Sequence, residues 1–148
     1  MAKLGDALCA AMADTFGFYF KAHVFHWNVT GPEFPAFHDL FGKIYEDAFG
    51  AVDTFAEHIR SLDEKAPTGL GELMKEMSIR DENGDPDAMG MVKALRADNE
   101  KVLECLAKTY LVAESAREVG LSNFIQDQHT REMALAVERD NGKGIVGA

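Results

Sequence analysis

His26, His38, Asp53 and Glu57 of this 148-residue chain are of the types that a first-row metal ion asks for, at a spacing that raises the question whether they can meet. Imidazole and carboxylate together suit iron, zinc or manganese, and affinity order alone does not choose among them. Asp53 and Glu57 stand at i and i+4, so one helix face presents both carboxylates. Such a pair is also an ordinary solvated face, with Glu57 able to pair with Arg60 at i+3. His38 lies on the same flank, fifteen positions before Asp53. At a rise of about 1.5 Å per residue, that is roughly 22 Å along a helix axis.

One helix cannot bring these residues together, but two copies can. If two such helices pack antiparallel about a twofold axis near residues 47 and 48, position 38 faces position 57. Position 42 then faces position 53. A twofold interface makes every contact twice. The spacing therefore predicts two symmetric sites, each with histidine from one subunit and carboxylates from its mate. A di-iron site inside one bundle would instead need Glu-x-x-His on each of two helices. Glu57-x-x-Arg60 and Gln126-x-x-His129 do not supply that motif.

The elements that must position these residues are helical. Leu4, Leu8, Met12, Phe16 and Tyr19 recur at three and four, and the stripe continues through His23 to His26. This predicts a helix over 4–27, weakened but not cancelled by Gly5 and Gly17. Asn28 to Pro35 is a break containing the Gly31-Pro32 turn. A second helix is expected over 36–62, on the stripe Phe37, Phe41, Ile44, Ala48, Val52, Phe55, Ile59 and Leu62. Thr68 to Met77 reads as a short amphipathic helix. Asp85-Pro86 reads as a cap and first helical residue for a third long helix over 86–118, with Gly120 ending it. Ser122 should cap a fourth helix running to about Asp140, ahead of a glycine-rich tail. The acidic loop opening at Asp81 is not an EF-hand, because Pro86 follows and the distal ligands are misplaced. Four long helices, with a short extra helix in the crossover between the second and third, make an all-α four-helix bundle.

Composition fits a single domain spanning 1–148. The chain is 47% hydrophobic and 27% charged, enough for one core and a soluble surface. No apolar run reaches the roughly 18 residues of a membrane span. No signal-peptide pattern opens the chain, so the default is a cytoplasmic protein. Cys9 and Cys105 lie far apart in apolar surroundings and read as reduced, buried, structural thiols. A net charge of −10 argues against general nucleic-acid binding and suits a protein that attracts cations.

At its candidate ligands the chain resembles the Dps family, the mini-ferritins of the ferritin-like superfamily. The resemblance is carried by His26-Trp27-Asn28-Val29-Thr30-Gly31-Pro32, Phe37-His38-Asp39 and Asp53-Thr54-Phe55-Ala56-Glu57. A weaker echo lies at Ser122-Asn123-Phe124 and Asp127. The resemblance implies a ferritin-like bundle in a hollow homo-oligomer, a dodecamer, with ferroxidase sites at its twofold interfaces. It implies His26 and His38 as ligands from one subunit and Asp53 and Glu57 from the other. Ferrous iron would be oxidised there, preferentially by hydrogen peroxide, and stored as ferric mineral inside the shell. Trp27 would pass electrons or quench radicals, although packing explains it equally well. Asp127 would line an iron-entry pore. Asp39, Glu46 and Asp47 are candidates for mineral nucleation.

The chain departs from the family in one place. Many members carry aspartate four residues after the second histidine, and here that position is Gly42. One well-bound iron per site and a weaker second are expected. Asp39 and Glu46 point within about 60° of the Gly42 direction and can assist in part. DNA condensation, the family's second activity, usually needs a lysine-rich tail. Here Lys3 and Lys143 stand alone at the two ends, which argues against it. The competing reading is a non-catalytic or DNA-associating shell of the same fold. His23, three before His26, can share a metal with it, but its default is a core histidine with a hydrogen-bond partner. His58 and His129 take that default too.

Overall fold

The computed structural model describes residues 2–131. Helix α1 spans Ala2–Asn28, α2 spans Phe34–Ser61, α3 spans Leu70–Glu76 and α4 spans Ala88–Ser115. A further helix, α5, occupies 119–131. Among the described residues there is no strand, and no helix long and apolar enough to cross a membrane. The last part of the expected fourth helix and the tail from Asn141 lie outside the described residues.

Helices α1 and α2 form the hairpin on which the candidate ligands sit. The connection is short because Gly31, at φ 112, takes a backbone shape that side chains resist. Val29 is buried and plugs the hairpin, and Pro35 falls in the first turn of α2, where a missing N–H costs nothing. From α2, Phe37, Phe41, Ile44, Ala48, Ala51, Phe55 and Ile59 are buried. They meet Leu4, Leu8, Phe18, Ala22 and Phe25 of α1 in one core. Each phenylalanine so buried contributes on the order of 1.5–3 kcal/mol, which makes this seam the main cohesive contact of the pair.

Two polar clasps lock the rest onto α1. The Asp14 carboxylate accepts the Ser78 backbone N–H at 2.6 Å and its hydroxyl at 2.8 Å, fixing the crossover. Lys21 pairs with Asp98 of α4 at 2.6 Å, and both side chains are largely buried. A buried pair of this kind specifies register more securely than it adds stability.

Three helix ends differ from the sequence expectation. The cap of α4 is Asp87, whose Oδ1 accepts the Gly90 N–H at 2.8 Å, two residues beyond the expected Asp85. Helix α4 stops at Ser115, and Gly120 lies inside α5 instead of ending α4. The stop is made by Arg117 at φ 60. The Arg117 N–H donates to Glu114 O at 2.9 Å and the Glu118 N–H to Ala113 O at 3.0 Å, the bond pair of a Schellman turn. A left-handed non-glycine costs about 1–2 kcal/mol, and two otherwise unmade hydrogen bonds offset it. Because that turn closes at Glu118, α5 begins at 119, and Ser122 is a buried residue within it instead of its cap.

Candidate metal centre

His26 closes α1 and His38 opens α2, so the hairpin stacks their rings with centroids 3.6 Å apart and 21° between planes. The His26 Nδ1–H donates to the backbone carbonyl of His38 at 2.7 Å. The His38 Nδ1–H donates to the backbone carbonyl of His26 at 2.8 Å. A carbonyl only accepts, so this reciprocal lock fixes the proton on both Nδ1 atoms. With Nδ1 of each ring engaged, Nε2 is the atom left to meet a metal. Orientation of a ligating imidazole by a hydrogen bond on its other nitrogen is the usual supporting arrangement at metal sites.

Gly42 is buried against this pair. A Cβ built on it would lie 3.4 Å from Cε1 and Nδ1 of His26, in ordinary van der Waals contact. The site therefore has room for the start of a side chain there and lacks one.

Asp53 and Glu57 occupy the other end of α2, and both are exposed. A side-chain hydrogen bond in which protonated Glu57 donates to Asp53, the like charge of Asp53 and some desolvation push the Glu57 carboxyl above its usual value. The two carboxylates thus act on one another as neighbouring like charges, an interaction that a cation between them would reverse. Helix α2 is unbroken from Phe34 to Ser61, so the roughly 22 Å between His38 and Asp53 is a rigid spacing. Within one chain the histidine pair and the carboxylate pair stay apart. Among the described residues, no three histidine, cysteine, aspartate or glutamate side chains form a metal cluster.

The remaining candidates fall into place around these ends. Trp27 is 56% exposed, and its ring lies 4.3 Å from that of His23. His23 is half-buried with its Nδ1 3.0 Å from Tyr19 Oη, as the default for a core histidine expects. His58 is half-buried and stacks on Phe124, and burial lowers its pKa. Asp127 is exposed and pairs with Arg131 at 3.3 Å. Arg131 also reaches Asp47 at 3.3 Å, so Asp47 serves an α2–α5 contact. Cys9 and Cys105 are free thiols, half-buried instead of fully buried. Burial, with Asp14 beside it, pushes the Cys105 thiol up to about 11, which leaves it inert as a nucleophile at neutral pH.

Sequence reasoning missed two features. The reciprocal histidine–carbonyl lock is a product of the hairpin and has no signature in spacing. The ring chain Tyr19, His23 and Tyr45 had a partial one, since Tyr19 and His23 are four apart.

The comparisons with known proteins agree with this architecture. The ferritin-like domain family matches residues 5–134. A DNA protection during starvation protein from Brevibacillus brevis is 32% identical over 120 residues, covering 81% of this chain and 74% of that protein. DNA protection during starvation protein 2 from Bacillus anthracis is 29% identical over 125 residues, covering 84% and 86%. A solved Dps protein from Bacillus brevis superposes with a TM-score of 0.89 at 26% identity, over 95% of this chain and 94% of that one. Dps from Thermosynechococcus elongatus gives 0.91 at 18% identity over 95% and 89%, a likeness of fold. The fold is that of the ferritin-like proteins, and within them this chain belongs to the Dps family.

The carboxylate pair makes a pH prediction. A raised Glu57 pKa means that the folded chain holds this proton more tightly than the unfolded chain does. That stabilisation is complete below the unfolded-state pKa and lost as pH rises through the folded-state value. At neutral pH the metal-free pair is therefore repulsive. Asp53→Asn should raise the thermal midpoint of metal-free protein at pH 7, and the gain should fade as pH drops through the Glu57 titration. An equal gain at both pH values would show that the two carboxylates do not interact.

Proposed function

We propose that this protein oxidises and stores iron, using sites that two subunits complete together. The observation that carries the proposal is the layout of α2. One end carries His38 with His26 of α1 stacked on it, both Nδ1 atoms held by backbone carbonyls, and the other carries two carboxylates that act on one another. An antiparallel twofold pairing superposes those ends, giving two nitrogen and two carboxylate donors per site. That donor set fits ferrous iron, and zinc or manganese would enter it as competitors.

In this reading His26 and His38 of one subunit and Asp53 and Glu57 of its mate hold the ferrous substrate. The carboxylates favour the ferric product, whose higher charge they neutralise more strongly. Hydrogen peroxide is the oxidant, and the product is deposited as mineral within a hollow shell of twelve subunits. Removing ferrous iron and peroxide together protects the cell from hydroxyl radicals. The chain's charge of −10 raises the local concentration of cations at such a shell. It also opposes direct DNA binding, which needs Lys and Arg against phosphate.

Gly42 favours a second reading, a shell that keeps the fold without efficient catalysis. It withholds a side chain from the position that faces Asp53 of the mate. Replacement of His38 by alanine or Glu57 by glutamine separates the two readings. Either change should lower peroxide-driven ferrous oxidation by about 10–100-fold, as expected for a lost ligand or its support, with particle size by light scattering unchanged. Oxidation at the wild-type rate in both variants would leave the shell reading standing.

Gly42 also sets the stoichiometry. Calorimetric titration with ferrous iron should show one tight iron per site and a weaker second. Gly42→Asp should tighten the second. Two equally tight irons in the wild type would contradict the role given to Gly42.

A further inference from the structure

Reduction of peroxide to two waters takes two electrons, and one ferrous ion supplies one. A site holding two tight irons supplies both. Under the site reading above, Gly42 leaves this one short of a ligand for the second iron. With a single iron bound, the second electron must come from the protein, or a hydroxyl radical escapes. Tyrosine and tryptophan are the side chains able to give it.

A continuous run of rings leads away from the histidine pair. The Tyr45 ring lies 5.1 Å from that of His26. It stacks on His23 at 3.9 Å and 5°, and lies 6.2 Å from Tyr19. Tyr19 Oη sits 3.0 Å from His23 Nδ1. Oxidation of a phenol releases its proton, so a base already at hydrogen-bond distance removes the cost of forming a charged phenol. Phe16, Phe20 and Phe49 surround Tyr19, with centroids at 5.6, 6.4 and 4.9 Å. Phenylalanine is not itself readily oxidised, so none of these rings competes with Tyr19 for the oxidation. Trp27 is the more exposed ring, and Tyr19 and Tyr45 are only partly exposed.

We propose that Tyr19, hydrogen-bonded to His23 and reached through the Tyr45 ring, donates the second electron when the site holds one iron. The oxygen–oxygen bond of peroxide breaks as iron gives one electron and Tyr19 the other. The Tyr19 phenolic proton passes to Nδ1 of His23, and two protons from solvent complete two waters. The products are ferric iron, a neutral Tyr19 radical and protonated His23. A later ferrous ion reduces the radical, and the proton returns from His23 to the phenol.

The test uses the assembled protein, loaded without oxygen to one ferrous ion per site and mixed with one equivalent of peroxide. Freeze-quenched samples are read by electron paramagnetic resonance. The expected signal is an organic radical that narrows with ring-deuterated tyrosine and not with deuterated tryptophan. Tyr19→Phe should lose it and release more hydroxyl radical to a spin trap. Tyr45→Phe should slow its formation, a change in rate that loss of packing at Tyr19 alone would not produce. Iron oxidation without a tyrosyl radical, or with the same radical in Tyr19→Phe, overturns the proposal and leaves the iron site intact. No peroxide-driven iron oxidation in the wild type overturns the site reading, and this proposal with it.

Discussion

The rigidity of α2 is the constraint on which the rest depends. It runs from Phe34 to Ser61 without a kink-forming proline past its first turn. A helix of that length holds its two ends apart as firmly as it holds neighbouring turns together. His38 near the start and Glu57 near the end can never close on one ion. Under the proposed twofold pairing, the same rigidity would keep the two ends in register with those of an antiparallel copy. An element that forbids the site within one chain is thus compatible with the proposed one between two. The buried phenylalanine seam with α1 supports that rigidity, since bending α2 would open the core.

Each end is prepared in a different way. The histidine end is preorganised by covalent geometry, because the Gly31 turn brings two backbone carbonyls against two Nδ1 atoms. Neither ring must reorient on meeting a metal, so little entropy is lost there. The carboxylate end is prepared by frustration. Asp53 and Glu57 are held close by helix pitch, and their like charges raise the Glu57 pKa. A cation between them would relieve that repulsion. Gly42 lies against the histidine arrangement as a buried position with room and no donor.

Much of the fold was legible in the sequence. The apolar period of three and four located α1, α2 and α4, and of the expected α2 stripe only Val52 and Leu62 are less than fully buried. Helix ends were less legible, because caps depend on which side chain reaches which amide. Asp85 and Asp87 are chemically equal, and only the reach of Asp87 to the Gly90 N–H distinguishes them. Arg117 in a left-handed turn has no composition signal, whereas Gly120 carried a misleading one. Helix arithmetic put His38 and the Asp53–Glu57 pair at opposite ends of one helix, and α2 holds them there. The histidine lock and the stacking of Tyr45 on His23 join residues across two helices, so a reading along one helix could not find them.

The central claim is that each metal site takes histidine from one subunit and carboxylate from another. Subunit mixing tests it directly. One variant carries His26→Ala and His38→Ala, and the other carries Asp53→Asn and Glu57→Gln. Each alone should be inactive in ferrous oxidation. Unfolded, mixed in equal amounts and reassembled, half of the twofold pairs are heterologous, and each of those regains one intact site of its two. The mixture should recover about a quarter of the wild-type rate. A mixture no more active than the separate variants, at an equal yield of assembled particles, would contradict the shared site.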